Sequence, residues 1–228
     1  MKLKTPITYY GGKQKMLTHI LPRLPEHNVY IEPFCGGAAV FWAKNPCAIE
    51  VLNDINGEIV NFYIQVKKNP EKLEKLIQST PISRRSFEFA NIVYLYPEFF
   101  SPVRRAWAVW NITTQGFASK IGHGWGYCTV PSKKEKKDDI QALKVQNKKK
   151  IFSLKDESGA YLLAKRLETV QLENIDAIKL IQARNRPECF FYIDPPYPET
   201  NQGHYKGYNM DDFEPVSYTH LRAHETPE

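Results

Sequence analysis

An apolar strand, a glycine-rich turn, a buried helix and a second strand tipped by an acid stand in that order near the start of this sequence, and that order constrains the fold most. Residues 29–32 form a short apolar strand that runs into Pro33-Phe34-Cys35-Gly36-Gly37. The Ala/Val/Phe/Trp run over 38–43 reads as a buried helix. Residues 48–53 form the second strand, which ends at Asp54, and Asn56 caps a helix through about 67. This is the beginning of a parallel α/β sheet. Far along the chain the run 189–193 (CFFYI) is continuously apolar, as expected of a central parallel strand, and it ends at Asp194-Pro195-Pro196-Tyr197. A short amphipathic helix is expected over 13–24, ended by Pro22 and Pro25. Residues 69–117 carry a helical pattern. Residues 118–131, with Gly122, Gly124 and Gly126 between apolar residues, read as a β-hairpin or ordered loop. The Lys-rich stretch 132–150 reads as a mobile loop with at most one short helix. A helix over about 156–169, a strand over 170–172 and a helix over 176–184 complete the pattern. The sheet is thus begun, interrupted by roughly 100 residues and resumed, which suits an insertion with its own binding surface.

With 42% hydrophobic and 25% charged residues, the 228-residue chain has globular composition. Its apolar runs fall short of the ~18 residues needed to span a membrane. The N-terminus has no apolar core of a secretory signal, which points to the cytoplasm. The four cysteines, at 35, 47, 128 and 189, form no CxxC pair and have no His at ligand spacing. Free thiols are expected, and no metal site. Residues 62–162 hold 18 Lys/Arg against 9 Asp/Glu, a balance of +9, whereas the rest of the chain holds 13 against 16, or −3. A basic segment in a neutral-to-acidic body suggests a polyanion partner; a solvated loop is the plainer alternative.

Four short motifs could carry chemistry. In Asp194-Pro195-Pro196-Tyr197 two prolines remove two backbone donors and hold the chain extended, so acceptors stand rigidly beside an aromatic face. That suits an exocyclic amino group on a stacked base, or else marks a strand-to-loop corner. The turn after the first strand lets a ligand approach the backbone, but it is neither GxGxxG nor a phosphate loop. Asp54 stands about 20 residues past the turn, where an acid commonly takes ribose hydroxyls, although an N-cap would look the same. Tyr9-Tyr10-Gly11-Gly12-Lys13 precedes the first helix and could be an ordinary turn.

Together, YYGGK, IEPFCGG, LNDIN and IDPPY resemble, in order, the motifs of the D12 class of adenine-specific DNA methyltransferases, the Dam-like enzymes. The resemblance covers about residues 6–214. It implies a Rossmann-like S-adenosylmethionine-dependent methyltransferase sheet with a mainly helical target-recognition insertion. Residues 1–61 and 163–214 would form the cofactor-binding catalytic domain, and 62–162 the DNA-recognition insertion. It further implies that Tyr9 and Lys13 contact S-adenosylmethionine, Lys13 through the cofactor carboxylate. Phe34 and Gly36 would line its methionine end, Asp54 would take the ribose hydroxyls, and Ile55 would pack on its adenine with Asp176 nearby. Asp194 would lie between cofactor and target. Asp194 and the Pro195 carbonyl would accept the hydrogens of the adenine 6-amino group, and Pro196 and Tyr197 would complete the catalytic motif, Tyr197 stacking on a base flipped out of double-stranded DNA. Where Tyr9 stands, the family's best-known members have Trp. Arg84, Arg85, Arg104, Arg105 and Lys120 would touch DNA, the last in a hairpin over 120–127 that resembles the family's recognition hairpin. Trp107 and Trp110, at helical spacing, read as core. A monomer is expected, in a restriction-modification, phage or chromosomal role.

Read back into DNA, residues 216–226 can match a sequencing-library adaptor. Residues 215–228 are therefore expected to be a non-native tail, the fold's last strands to be missing, and the chain as written to be inactive. Two competing readings keep parts of the argument. The fold could methylate the cytosine 4-amino group, RNA or a glutamine amide, but Asp rather than Ser or Asn before Pro-Pro-Tyr, with the basic insertion, favours adenine. Alternatively, the chain could be a DNA-binding module without activity.

Overall fold

The computed structural model describes residues 3–9, 11–119, 121–126, 141–153 and 159–195. Four parallel strands form one sheet: β1 (Val29–Glu32), β2 (Ile49–Asn53), β3 (Gln171–Glu173) and β4 (Cys189–Phe191), in the order β3-β2-β1-β4. This is the Rossmann-like arrangement that the strand-turn-helix-strand pattern implies. β1 lies between β2 and β4, so it is paired on both edges, and its Tyr30, Ile31 and Glu32 are buried. The strand period of two divides the core. Tyr30 and Leu52 face the large hydrophobic cluster, whereas Ile31 and Val51 pack with Leu180 on the other face. Leu180 comes from α9 (Ala177–Arg184), which Asp176 caps by accepting from the Lys179 N–H at 3.0 Å. β4 is shorter than its apolar run. The ladder nevertheless continues past it, because the Tyr192 N–H donates to the Ile31 carbonyl at 2.9 Å.

The large cluster is built by helices. α1 (Leu17–Ile20) is a single turn between two 3-10 turns, Lys13–Met16 and Leu21–Arg23, where one helix over 13–24 is expected from sequence. Pro22 and Pro25 crowd that segment and leave too few donors for a longer helix. α2 (Ala39–Ala43) is entirely buried. α3 (Gly57–Lys68) is capped by the Asn56 side chain, which accepts from the Glu58 N–H at 3.1 Å, and buries Ile59, Phe62, Tyr63 and Val66 at helical spacing. α4 (Pro70–Ser79), α5 (Arg84–Leu95) and α6 (Pro102–Gln115) follow, with Ser83 and Ser101 as caps. α6 is buried from Ala106 to Gln115 and packs against α3, α4 and α5. Trp107 and Trp110 are core residues, and the Trp107 indole N–H donates to Thr80 Oγ1 at 2.6 Å. One core therefore runs without a break from the sheet helices into α6. α8 (Ala160–Leu167) packs against α3 and α4.

Only residues 141–150 of the Lys-rich stretch lie among the described residues, and they are helical. Residues Gln141–Ile151 form α7, an 11-residue helix. Val145 and Phe152 anchor it in the core. Lys148 donates to the Thr5 and Ile7 carbonyls at 2.6 and 3.1 Å, and Lys149 to the Gln78 and Thr80 carbonyls at 2.9 and 2.6 Å. Two lysines that read as solvated charge thus close the ends of neighbouring segments. In the described part of the stretch read as a hairpin or ordered loop, an isolated antiparallel bridge joins Gly116 to Trp125, and the Phe117 N–H donates to the Gly124 carbonyl at 2.9 Å. Residues 127–131, Lys120 and the suspected tail 215–228 lie outside the described residues. Among the described residues no helix is long and apolar enough to cross a membrane, and no group of His, Cys, Asp or Glu could hold a metal ion.

Candidate functional site

Strand register brings the site together. Val29 pairs with Ile49 on one side and Cys189 on the other. Counting five residues on along each chain reaches Phe34, Asp54 and Asp194. Three segments separated by up to 160 residues therefore leave the sheet side by side at its carboxyl edge, where open α/β sheets bind ligands.

The turn after β1 is strained. Gly36 has φ +44° and Ala38 has φ 48°, two left-handed positions within three residues. A Cβ on Gly36 would meet the Tyr9 ring, 2.8 Å from Cδ1. Glycine is therefore required there by both backbone and space, and the ring of Tyr9 is seated on the turn. The Tyr63 hydroxyl donates to the Gly36 carbonyl at 2.7 Å from below. Asp54, buried, accepts from the Gly36 N–H and the Asn56 N–H, both at 2.9 Å. One carboxylate thus joins the turn to the start of α3. Ile55, next to Asp54 in sequence, and Phe34, in the turn after β1, are both half-buried apolar side chains. Ile55 is held in turn, its carbonyl accepting from Asn174 Nδ2 at 3.1 Å. Asn53 ties Pro33 to Ile175 across the strand ends, donating to both carbonyls at 2.9 and 3.0 Å.

The site is acidic. Burial pushes the Asp54 carboxyl up to about 6 against the lowering effect of its two N–H partners. Glu32, at the end of β1, is buried and accepts from the Tyr30 hydroxyl at 2.6 Å and the Phe41 N–H at 2.9 Å. Its carboxyl is pushed up to about 7, chiefly by burial and further by the charge of Asp194. Sequence reasoning did not assign Glu32 a role; an acid ending an otherwise apolar central strand was the available signal. Lys13 answers this charge. A tight turn, with the Gly12 N–H donating to the Tyr9 carbonyl at 3.0 Å, aims it at the end of β4. Its ammonium donates to both Asp194 oxygens at 2.6 Å and to the Gly11 carbonyl at 3.1 Å.

The other residues singled out from sequence are spread over the helical layer. Asp176 caps α9. Arg84 and Arg85 are exposed at the start of α5, Arg84 lying 5.1 Å from the Trp125 ring centroid. Arg104 lies over the Trp107 ring at 5.2 Å. Arg105 is in an ion pair with Glu58 that fastens α6 to the first turn of α3. Pro195 is described, whereas Pro196 and Tyr197 lie outside the described residues.

Fold and register together define a parallel α/β domain whose candidate site lies at the carboxyl ends of β1, β2 and β4. The chain belongs to the family of D12 class N6 adenine-specific DNA methyltransferases, whose sequence profile matches residues 9–224. It is 46% identical over 68 residues to a type II methyltransferase of Lactococcus lactis subsp. cremoris, covering 29% of this chain and 24% of that one. It is 40% identical over 63 residues to a DNA N-6-adenine-methyltransferase of Escherichia phage P1, covering 28% of this chain and 8% of that one. A DNA adenine methylase of Haemophilus influenzae is 26% identical over 226 residues, covering 93% of this chain and 71% of that one. The chain therefore spans about a quarter or less of the first two relatives and about seven tenths of the third.

Proposed function

We propose that this protein transfers a methyl group from S-adenosylmethionine to the 6-amino group of adenine within a recognition sequence of double-stranded DNA. The observation that carries the reading is the alignment of Phe34, Asp54 and Asp194 at one edge of the sheet, in a chain of this family. The acidic character of that edge suits a ligand that brings positive charge, and Asp54 is an acceptor suited to ribose hydroxyls. When bound, the cofactor supplies an activated methyl group on a sulfonium. Tyr9, Phe34 and Gly36 shape the surface for its methionine end, Lys13 takes its carboxylate, and Ile55 packs on its adenine near Asp176.

The chain's own work on the target is orientation and charge placement. The adenine amino lone pair is delocalised into the ring and is a poor nucleophile. Asp194 and the Pro195 carbonyl accept its two hydrogens, which favours a pyramidal nitrogen whose lone pair faces the methyl group. Tyr197 stacks on the base, which must leave the duplex to reach the site. Residues 62–162 read the DNA, through the exposed Arg84 and Arg85, the half-buried Arg104, and Lys120. Arg105 contributes through its hold on Glu58. The protein acts in the cytoplasm, on DNA, as a monomer. The test is tritium transfer from labelled S-adenosylmethionine to DNA lacking adenine methylation, with product analysis. N6-methyladenine is the expected product; N4-methylcytosine, or no transfer to DNA by the full-length protein, overturns the proposal.

A further inference from the structure

The Lys13–Asp194 pair sits awkwardly with a site ready for its target. Asp194 is the carboxylate that must accept from the amine, yet both its oxygens receive the Lys13 ammonium at 2.6 Å. An acceptor whose charge is already neutralised by a lysine accepts weakly from a second donor. The arrangement has an electrostatic reason. Glu32 and Asp54 are buried at the same edge, and Asp194's charge adds to the burden on Glu32. A third bare carboxylate would raise that burden further, and a cation beside Asp194 offsets it.

The pair is also weak enough to exchange. The side chains of Lys13 and Asp194 keep 16% and 24% of their exposure, so solvent still reaches this part-buried pair and screens it. Lys13 stands on a short turn that starts at Gly11, where φ is +74°, and its side chain lies between Gly11 and the end of β4. We infer that Lys13 is an exchangeable counter-ion: paired with Asp194 it neutralises and covers that carboxylate, and the carboxylate of the bound cofactor draws it away, leaving Asp194 open to the target amine. This rests on the cofactor reading above and deepens it. Lys13 becomes a positioning residue that makes the target-binding carboxylate available only after the cofactor is in place, so cofactor binds before the flipped base.

The test is a thermodynamic cycle read by calorimetry. The probes are S-adenosylhomocysteine, which carries the amino-acid carboxylate but no sulfonium, and methylthioadenosine, which lacks the amino-acid portion. If Asp194 competes with the ligand carboxylate for Lys13, then Asp194→Asn frees Lys13. It should bind S-adenosylhomocysteine roughly two- to fivefold more tightly than the unaltered protein, the fold-change expected for losing a pair of this exposure. Methylthioadenosine should bind both forms equally. In a Lys13→Met background S-adenosylhomocysteine should bind more weakly, and adding Asp194→Asn should bring no gain. Equal or weaker binding of S-adenosylhomocysteine to Asp194→Asn overturns the counter-ion role while leaving the cofactor assignment intact. Failure of the unaltered protein to bind S-adenosylhomocysteine at all overturns the cofactor reading, and this inference with it.

Discussion

The two ends of the same sheet bury carboxylates in opposite ways. At the amino end, Glu50 is 2% exposed and is met by two cations. Lys44 donates to it at 2.6 Å, and the Arg166 guanidinium pairs with both its oxygens while lying 3.8 Å from the Phe41 ring centroid. At the carboxyl end, Glu32 and Asp54 are buried as deeply, but their hydrogen-bond donors are a phenol and backbone N–H groups. Both are pushed well above the ordinary carboxylate range. The difference separates an end whose buried charge is neutralised within the chain from an end whose buried carboxylates are held by neutral donors. A carboxylate closed in by its own cations has no electrostatic demand left, whereas one held by neutral donors still favours an arriving positive charge.

That contrast can be broken at several points. The largest expected effect is at the ligand end: Asp194→Ala in the full-length protein should abolish methylation while DNA binding, measured by fluorescence anisotropy, stays near normal. Turnover close to normal would remove Asp194 from the chemistry. At the other end, Glu50→Ala leaves Lys44 and Arg166 buried without their anion. It should cost about 3–5 kcal/mol in urea unfolding, as expected when one partner of a buried ion pair is removed. A cost below about 1 kcal/mol would show that this end is not neutralised as described.

Asp54→Ala should weaken cofactor binding by roughly 1–3 kcal/mol, for lost charge-assisted hydrogen bonds. Calorimetry with unchanged cofactor affinity would take Asp54 out of the site. The pH dependence of stability is a finer probe. Glu32 and Asp54 rise from 4.5 and 3.8 to about 7 and about 6 on folding. The folded chain therefore holds protons that the unfolded chain has lost between about pH 4 and 7, and stability falls as pH rises through that window. Lys148 is lowered from 10.5 to about 7 by burial, so there the unfolded chain holds the extra proton and stability rises from about pH 7 to 10.5. These groups together predict a minimum near neutrality in the ligand-free protein. Glu32→Gln should flatten the slope on the acid side alone; an unchanged slope in a denaturant series across pH would refute the assignment. The smallest expected effect is in the basic segment. Replacing Lys133, Lys134, Lys136 and Lys137 by Ser should flatten the dependence of log K for DNA on log salt with little change in site preference. An unmoved slope would mark these lysines as solvated surface.

Much of this architecture is legible locally. Short apolar runs bounded by Gly, Pro and acids announce β1, β2 and β4, and Asn56, Ser83, Ser101 and Asp176 announce helix starts, because strand period and capping depend on neighbours a few residues away. Motif order alone was enough to indicate the family. Other features were not legible. The Lys148 and Lys149 side chains lie in a run indistinguishable from solvated charge, and nothing local reveals the carbonyls they meet about 70 and 140 residues away. Glu50 reads as an ordinary polar residue in a strand until Arg166 closes over it.

What the sequence by itself determined is which residues could stand at the ends of strands: Glu32, Asp54 and Asp194, each following an apolar run. What only the tertiary structure decided is which of them stand together. Parallel register aligns Phe34, Asp54 and Asp194 through pairings that span 20 and 160 residues. The Lys13 turn then carries an ammonium to a carboxylate 181 residues on. Such pairings follow from how the sheet packs on its helices, and from burial that leaves a charge no better partner, neither of which a local stretch of chain contains.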